Sequence, residues 1–252
     1  MMKLLIDAGN TRIKWCWYDG EDLPLDYESA EYEDLEEQGA DLFKGSGPDT
    51  DDILISNVAG EDIRQLLTDC FSEWDLTPKF FTSKAAGCGI TNAYTQPEKL
   101  GVDRWLSMIG AWTIRQEAAC IVDCGTAVTI DVLNDRGEHL GGMIVPGMEL
   151  MQDSLINQAD GILADEEIEQ VDSHSLLARD TASAVAAGTL YALVTLIERV
   201  RQDIEKELGI DLPLYLSGGD VDLIQPLLGC HSTHEPMIVF QGMLTADEDP
   251  DY

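Results

Sequence analysis

Positive charge is what this chain has least of. Only 15 lysines and arginines stand against 48 aspartates and glutamates in 252 residues, a formal net charge of −33. A surface of that sign repels a phosphate backbone, so DNA, RNA and anionic membranes are expected not to be partners. Long apolar runs are missing too, since no uninterrupted stretch approaches the roughly 20 residues that span a bilayer. The opening Met1-Met2-Lys3-Leu4-Leu5-Ile6 reaches Asp7 too soon for a secretory signal, which predicts a cytoplasmic protein. Cys16, Cys70, Cys88, Cys120, Cys124 and Cys230 include no CxxC pair. Cys120 and Cys124 share one face of a predicted strand and read as small buried side chains. His231 and His234 form an HxxH with no third ligand in view, which reads as a surface loop. The GxxxxGK[ST] pattern is absent, which disfavours a P-loop fold.

What is present is enough apolar sequence, 44%, to bury one large core or two smaller ones. The acidic runs at 28–37 and 247–251 read as solvated faces. An acidic surface suits a protein working in high salt, where the charges are screened and keep the chain soluble. Stability and activity are therefore expected to rise from salt-free buffer into high salt. A thermal melt and a rate series against ionic strength check this, and a maximum in salt-free buffer rejects it.

Two stretches look like versions of one another. Leu5-Ile6-Asp7-Ala8-Gly9-Asn10-Thr11-Arg12-Ile13-Lys14 and Ile121-Val122-Asp123-Cys124-Gly125-Thr126-Ala127-Val128-Thr129-Ile130 each run from an apolar strand through an Asp and a tight turn into a second strand. A carboxylate at a strand end suits a hydrated cation, and small turn residues let backbone N–H groups approach an anion. One such hairpin in each half suggests a duplicated fold closing on a nucleotide from both sides. Each also has a plainer reading, a turn whose Asp and Asn make local hydrogen bonds.

Elsewhere, strands are predicted at 53–58, 79–82, 119–123, 141–145, 214–216 and 238–240. Helices are predicted at 61–73, from Asp103 through Trp112, after Pro146-Gly147, and over 181–208. The stretch 87–97 and Gly-Ser-Gly-Pro at 45–48 read as loops. Strands alternating with helices, with an early hairpin in each half, predict an α/β chain with a mixed sheet in each of two domains, 1–115 and 116–252. The Gly turns join strand to strand, so this is not a dinucleotide fold.

Three further groups can carry chemistry. Asp103, in Gly101-Val102-Asp103-Arg104, is either a first-turn carboxylate of a helix or a general base taking a hydroxyl proton in phosphoryl transfer. Arg104 suits bidentate binding of a carboxylate or phosphate. Asp123 with Thr126 can hold a cation and reach phosphate. Ser217-Gly218-Gly219-Asp220 lets a base or ribose approach, although a strand-to-helix turn needs glycine anyway.

Taken in order, these motifs resemble type III pantothenate kinase, in the superfamily of acetate and sugar kinases, Hsp70 and actin. The resemblance covers Asp7 to Thr11, Asn92-Ala93-Tyr94, Gly101 to Trp105, Asp123 to Ala127, Gly141-Gly142 through Pro146-Gly147, Asp180-Thr181-Ala182 and Ser217 to Asp220. It implies two ribonuclease H-like domains and phosphorylation of the primary hydroxyl of pantothenate by ATP with Mg2+, the first step toward coenzyme A. By matching motif, Asp103 would accept the proton. Asp7, Ala8, Gly9, Asn10, Thr11, Arg12, Ile13, Lys14 and Thr126 would hold ATP, and Asp123 a monovalent cation, K+ or NH4+. Tyr94, Gly101, Val102, Asp103, Arg104 and Thr181 would contact pantothenate, Thr181 from the partner subunit of a homodimer. Three other readings share these residues: a kinase for another small alcohol, a phosphate-ester or polyphosphate hydrolase, and a non-catalytic regulator. The retained Asp7, Asp103 and Asp123 argue against the last.

Overall fold

The computed structural model describes residues 2–43, 50, 52–158, 177–250 and 252, so the loop expected at 45–48 lies outside the described residues. Contacts group the chain into two compact units. The first comprises Met1–Ala119, Asp131–Gly141 and Glu235–Tyr252, and the second Cys120–Ile130 and Gly142–His234.

The first unit opens with strands Lys3–Ala8 (β1), Arg12–Tyr18 (β2) and Glu28–Glu31 (β3), then helix Tyr32–Gln38 (α1). Strand Asp52–Asn57 (β4), helix Glu61–Ser72 (α2) and strand Lys79–Phe80 (β5) follow. A small hairpin, Ala86–Gly87 (β6) with Ile90–Thr91 (β7), leads to helix Val102–Ile114 (α3). The five-stranded sheet has the order β3-β2-β1-β4-β5. β1 runs antiparallel to β2 and parallel to β4, so the sheet is mixed. Leu4, Leu5 and Ile6 of β1 are wholly buried, as a central strand covered on both faces requires.

Strands Ala119–Cys124 (β8), Ala127–Leu133 (β9) and His139–Pro146 (β10) come next, then helix Met148–Gln158 (α4). Helix Thr181–Leu208 (α5), strand Leu214–Ser217 (β11), the short helix Val221–Ile224 (α6) and strand Thr233–His234 (β12) complete the second series. Its sheet order, β10-β9-β8-β11-β12, repeats that of the first: three successive strands outward from the centre, then two more on the other side. β11 pairs parallel with both β8 and β12. The two hairpins thus occupy equivalent places in two like sheets. His234, expected in a loop with His231, instead sits in the short exposed strand β12.

Two expectations need correcting. The predicted last strand, 238–240, is the start of a helix, Ile238–Glu248 (α7). The apolar run Ile238-Val239-Phe240 reads as a strand alone, but with Met243 and Leu244 it forms a buried helical face that packs on α3. The crossing is close because both helices carry glycine there: a Cβ on Gly242 would meet the Leu106 carbonyl oxygen at 2.0 Å, and one on Gly110 that of Ile238 at 2.1 Å. Asp247 secures the helix by accepting from Lys3 and, at 2.7 Å, from Lys79. Burial alone would lift its carboxyl, but the two ammonium groups hold it below its ordinary range. This helix therefore belongs with the first unit and not with a 116–252 domain.

The second correction concerns apolar length. By length and hydropathy α5 is able to cross a bilayer. However, Ala186, Leu190, Leu193, Val194 and Ile197 are buried in the protein, and Arg199, Arg201, Asp203, Glu205 and Lys206 charge its second half. Those features are those of a helix that packs one face within the protein and carries charge along its second half.

Candidate active site

In the first hairpin, Gly9 N–H donates to the Arg12 carbonyl at 3.1 Å, which closes the turn around Asn10 and Thr11. Both turn residues are exposed, while Asp7 is buried at the end of β1. Its cross-strand neighbour is Lys14. Tyr32, at the start of α1, donates its hydroxyl to the Gly9 carbonyl. Burial first, and then the charge of Asp7, push the Tyr32 phenol well above its usual range, so it stays a proton donor. Arg12 reaches out to Glu31 at 3.2 Å, and Lys14 lies 5.2 Å from the centre of the Tyr27 ring. The arrangement is an exposed loop of amides and small side chains over one buried carboxylate, with two cations beside it. It suits an oligophosphate.

The second hairpin is built the same way. Gly125 N–H donates to the Ala127 carbonyl at 3.3 Å, and Gly147 N–H to the Thr126 carbonyl at 2.9 Å. Asp220 N–H donates to the Cys124 carbonyl at 3.0 Å, which ties the Ser217-Gly218-Gly219-Asp220 turn to the hairpin. Gly218 makes that approach possible. Its φ is +98°, and a Cβ there would fall 2.3 Å from the Cys124 carbonyl oxygen and 2.5 Å from Asp123 Oδ1. Asp123, Asp220 and Glu149 bring three like charges into one neighbourhood. Burial, then Glu149, then Asp123 lift the Asp220 carboxyl above its ordinary range. A monovalent cation beside Asp123 fits this surplus of negative charge and the surrounding carbonyl oxygens. Among the described residues, no three His, Cys, Asp or Glu side chains are grouped to hold a metal ion. A divalent ion fits as a companion of the nucleotide's phosphates, which supply it with oxygen ligands.

Asp103 and Arg104 stand in the first turn of α3. Asp103 is half-buried and its Oδ1 accepts the Arg104 N–H at 2.8 Å, which fixes its rotamer. Gly101 makes room beneath it, because a Cβ there would sit 2.5 Å from that same oxygen. Gly101→Ala is expected to displace the carboxylate while leaving the helix standing. It should lower kcat about tenfold or more with little change in melting temperature, a misplacement effect. Steady-state rates and calorimetry on the same sample check it.

Arg104 itself is 5% exposed, and its fork is occupied. Nε and Nη2 each donate to Asp131 at 2.7 Å, and Nη1 donates to the Tyr94 hydroxyl at 3.1 Å. Burial would lower this guanidinium's pKa, but the bonds to Asp131 and Tyr94 raise it. The open bidentate clamp expected from sequence is therefore turned inward, with two of its five N–H donors beyond those three bonds. Asp131, on β9, and His139, on β10, are the partners the sequence reading did not single out. A signal for them exists: a carboxylate within the buried run Ile130-Asp131-Val132-Leu133 must be paired.

Of the residues expected to contact one substrate, Tyr94, Gly101, Val102, Asp103 and Arg104 come together in the first unit. Thr181 stands at the start of α5 in the second, exposed, after Asp180, which caps the helix by accepting the Ser183 N–H at 2.8 Å.

A sequence model of the type III pantothenate kinase family matches residues 3–203. A type III pantothenate kinase of Nitrosococcus oceani is 38% identical over 98% of this chain and 94% of its own length. Those of Nitrosospira multiformis and Dichelobacter nodosus are 34% and 33% identical, each over 96% of this chain and over 89% and 96% of their own lengths. The chain belongs to the type III pantothenate kinase family. Among solved structures, a Campylobacter jejuni protein described as a Baf family transcriptional activator aligns with a TM-score of 0.60 at 22% identity, covering 99% of this chain and all of that one. The ethanolamine utilization protein EutJ of Carboxydothermus hydrogenoformans aligns at 0.57 and 12% identity, covering 98% and 90%. At those identities the likeness speaks for the fold alone, and the fold of two mixed sheets is that of the actin-like ATPases.

Proposed function

We propose that this chain phosphorylates pantothenate with ATP to give 4'-phosphopantothenate, the first step of coenzyme A synthesis, in the cytoplasm. The observation that carries the reading is the family match over residues 3–203 together with a fixed carboxylate, Asp103, in the cluster that holds Tyr94 and Arg104. Asp7 to Lys14 and Thr126 hold the triphosphate through backbone amides, hydroxyls and the Lys14 charge. Asp7 would stand nearest to the Mg2+ that comes with ATP, which would supply neutralisation of charge on the phosphates. Asp103 orients the primary hydroxyl of pantothenate and accepts its proton as the bond to phosphorus forms. Tyr94, Gly101 to Arg104 and Thr181 position the rest of the acceptor. Positioning and charge stabilisation supply most of the catalysis, since phosphoryl transfer needs little covalent help.

Thr181 acts from a partner subunit in this reading. It lines an apolar groove of about 610 Å³ between α4 and α5, with Leu150, Met151, Leu155 and Val185. Leu150 and Leu155, both in the groove wall, are 43% and 40% exposed. Apolar side chains exposed in such a cluster support a homodimer through this face.

Asp123 is the ligand for K+ or NH4+. Removal of the cation leaves Asp123, Asp220 and Glu149 to repel one another. Because the folded-state pKa of Asp220 is raised, its contribution to apo stability is complete below the ordinary carboxylate pKa and is lost as pH rises through the folded value. At neutral pH, K+ is expected to raise the melting temperature more than Na+ at equal ionic strength. Asp220→Asn is expected to raise the cation-free melting temperature and to shrink that difference. Equal melts in the two salts for the wild type would remove the cation from the site.

The assay that tests the function is ATP-dependent phosphorylation of pantothenate with Mg2+, in K+ against Na+ at matched high ionic strength. Product dependent on K+ or NH4+ supports both substrate and cation. ATP hydrolysis without a phosphorylated acceptor would turn the reading toward a hydrolase.

A further inference from the structure

Behind Arg104 lies a buried polar chain that phosphoryl transfer does not by itself require. Asp131 is 2% exposed and accepts three bonds: two from Arg104, at 2.7 Å each, and one from His139 Nε2 at 2.9 Å. His139 is also buried, and its Nδ1 accepts the Ala93 N–H at 3.4 Å. With Nδ1 an acceptor, the Nε2 proton faces Asp131. The His139 ring lies nearly parallel to that of Tyr94, with planes 14° apart and centroids 6.2 Å apart. Arg104 Nη1 then donates to the Tyr94 hydroxyl oxygen at 3.1 Å. Every buried polar group here has a partner, and the chain ends on a hydroxyl that stands half-buried at the edge of the cluster.

Accepting from a cation fixes what that hydroxyl does. Its oxygen is engaged by Arg104, so its own proton is directed elsewhere and made a better donor. We propose that Asp131 and His139 are positioning residues for pantothenate: acting through Arg104, they hold the Tyr94 hydroxyl as a donor toward an acceptor oxygen of the substrate. The inference rests on the pantothenate reading above. His139 sets the rotamer of Asp131, Asp131 sets the fork of Arg104, and the fork sets Tyr94.

Two substitutions separate the hydrogen bond from the bulk of the ring. His139→Gln keeps an N–H within reach of Asp131, and His139→Phe keeps a ring against Tyr94 but offers Asp131 nothing. His139→Phe is expected to raise the KM for pantothenate about tenfold, with the KM for ATP unchanged, and His139→Gln to stay within about threefold of wild type. In the double variant with Tyr94→Phe the two effects should fall short of adding, because both act on one hydroxyl. A pantothenate KM unchanged in His139→Phe, equal rises in both KM values, or full additivity would overturn the proposal. Should His139→Phe not fold, Tyr94→Phe from its half-buried position must still raise the pantothenate KM alone, and an unchanged KM overturns the proposal equally. Wild-type protein that leaves pantothenate unphosphorylated would reject the functional reading itself, a result distinct from any of these.

Discussion

Asp103→Asn is expected to lower kcat by about 10²–10⁴-fold, equivalent to roughly 3–5 kcal/mol of barrier. The substitution is nearly isosteric. An Asn oxygen can still accept the Arg104 N–H that now binds Asp103 Oδ1 at 2.8 Å, so the start of α3 and the site around it should survive. What is lost is the group that accepts the hydroxyl proton. KM for pantothenate and for ATP should each stay within a few-fold of wild type, which distinguishes a chemical loss from a binding loss. Single-turnover measurement of phosphopantothenate, with pantothenate binding followed separately by calorimetry, checks both halves. Residual turnover above about a tenth of wild type would take the base role from Asp103, since a general base is worth more than that.

That Asp103 was readable in the sequence at all owes to its surroundings in the chain. Gly101 and Arg104 flank it, and both have a local reason to be there: one makes room for the carboxylate and the other donates its N–H to it. The two hairpins were readable for the same reason, since a strand, an Asp and a tight turn are contiguous and their pairing is local. The duplicated sheet order follows from them, because each hairpin fixes the first two strands of its sheet. What resisted reading is decided by residues far apart. Ile238-Val239-Phe240 is a helix because Gly242 and Gly110 let α7 and α3 meet backbone to backbone, and Gly110 lies far back in the chain. The same holds for Arg104. Its sequence context suggests a fork open to a ligand, but Asp131, 27 residues on, takes two of its donors. A short-range pattern identifies which groups carry charge, while the tertiary fold decides which of them face each other.

Asp131→Ala is expected to be the most destabilising single change in this cluster, by about 3–5 kcal/mol, since removing one partner leaves the other charge buried and unpaired. Arg104 and Asp131 expose only 5% and 3% of their side chains, so water cannot replace the missing carboxylate, and the His139 N–H loses its acceptor as well. At about 2–4 °C per kcal/mol for a chain of this size, the first-unit transition should fall by roughly 6–20 °C in a calorimetric melt. A drop of less than about 2 °C would mean that the pair contributes little, as exposed pairs do. The informative comparison is the double replacement Arg104→Met with Asp131→Leu. A buried ion pair exchanged whole for apolar side chains costs little or even stabilises, because two desolvation penalties disappear together. The double variant should therefore recover part of the melting temperature lost by Asp131→Ala, the orphaned His139 N–H keeping the rest, while remaining unable to bind pantothenate. Recovered stability without recovered binding would show that this pair is kept for the substrate and not for the fold, which is where a stability-neutral but costly arrangement of charges is expected to persist. Recovery of neither would assign the pair to the fold.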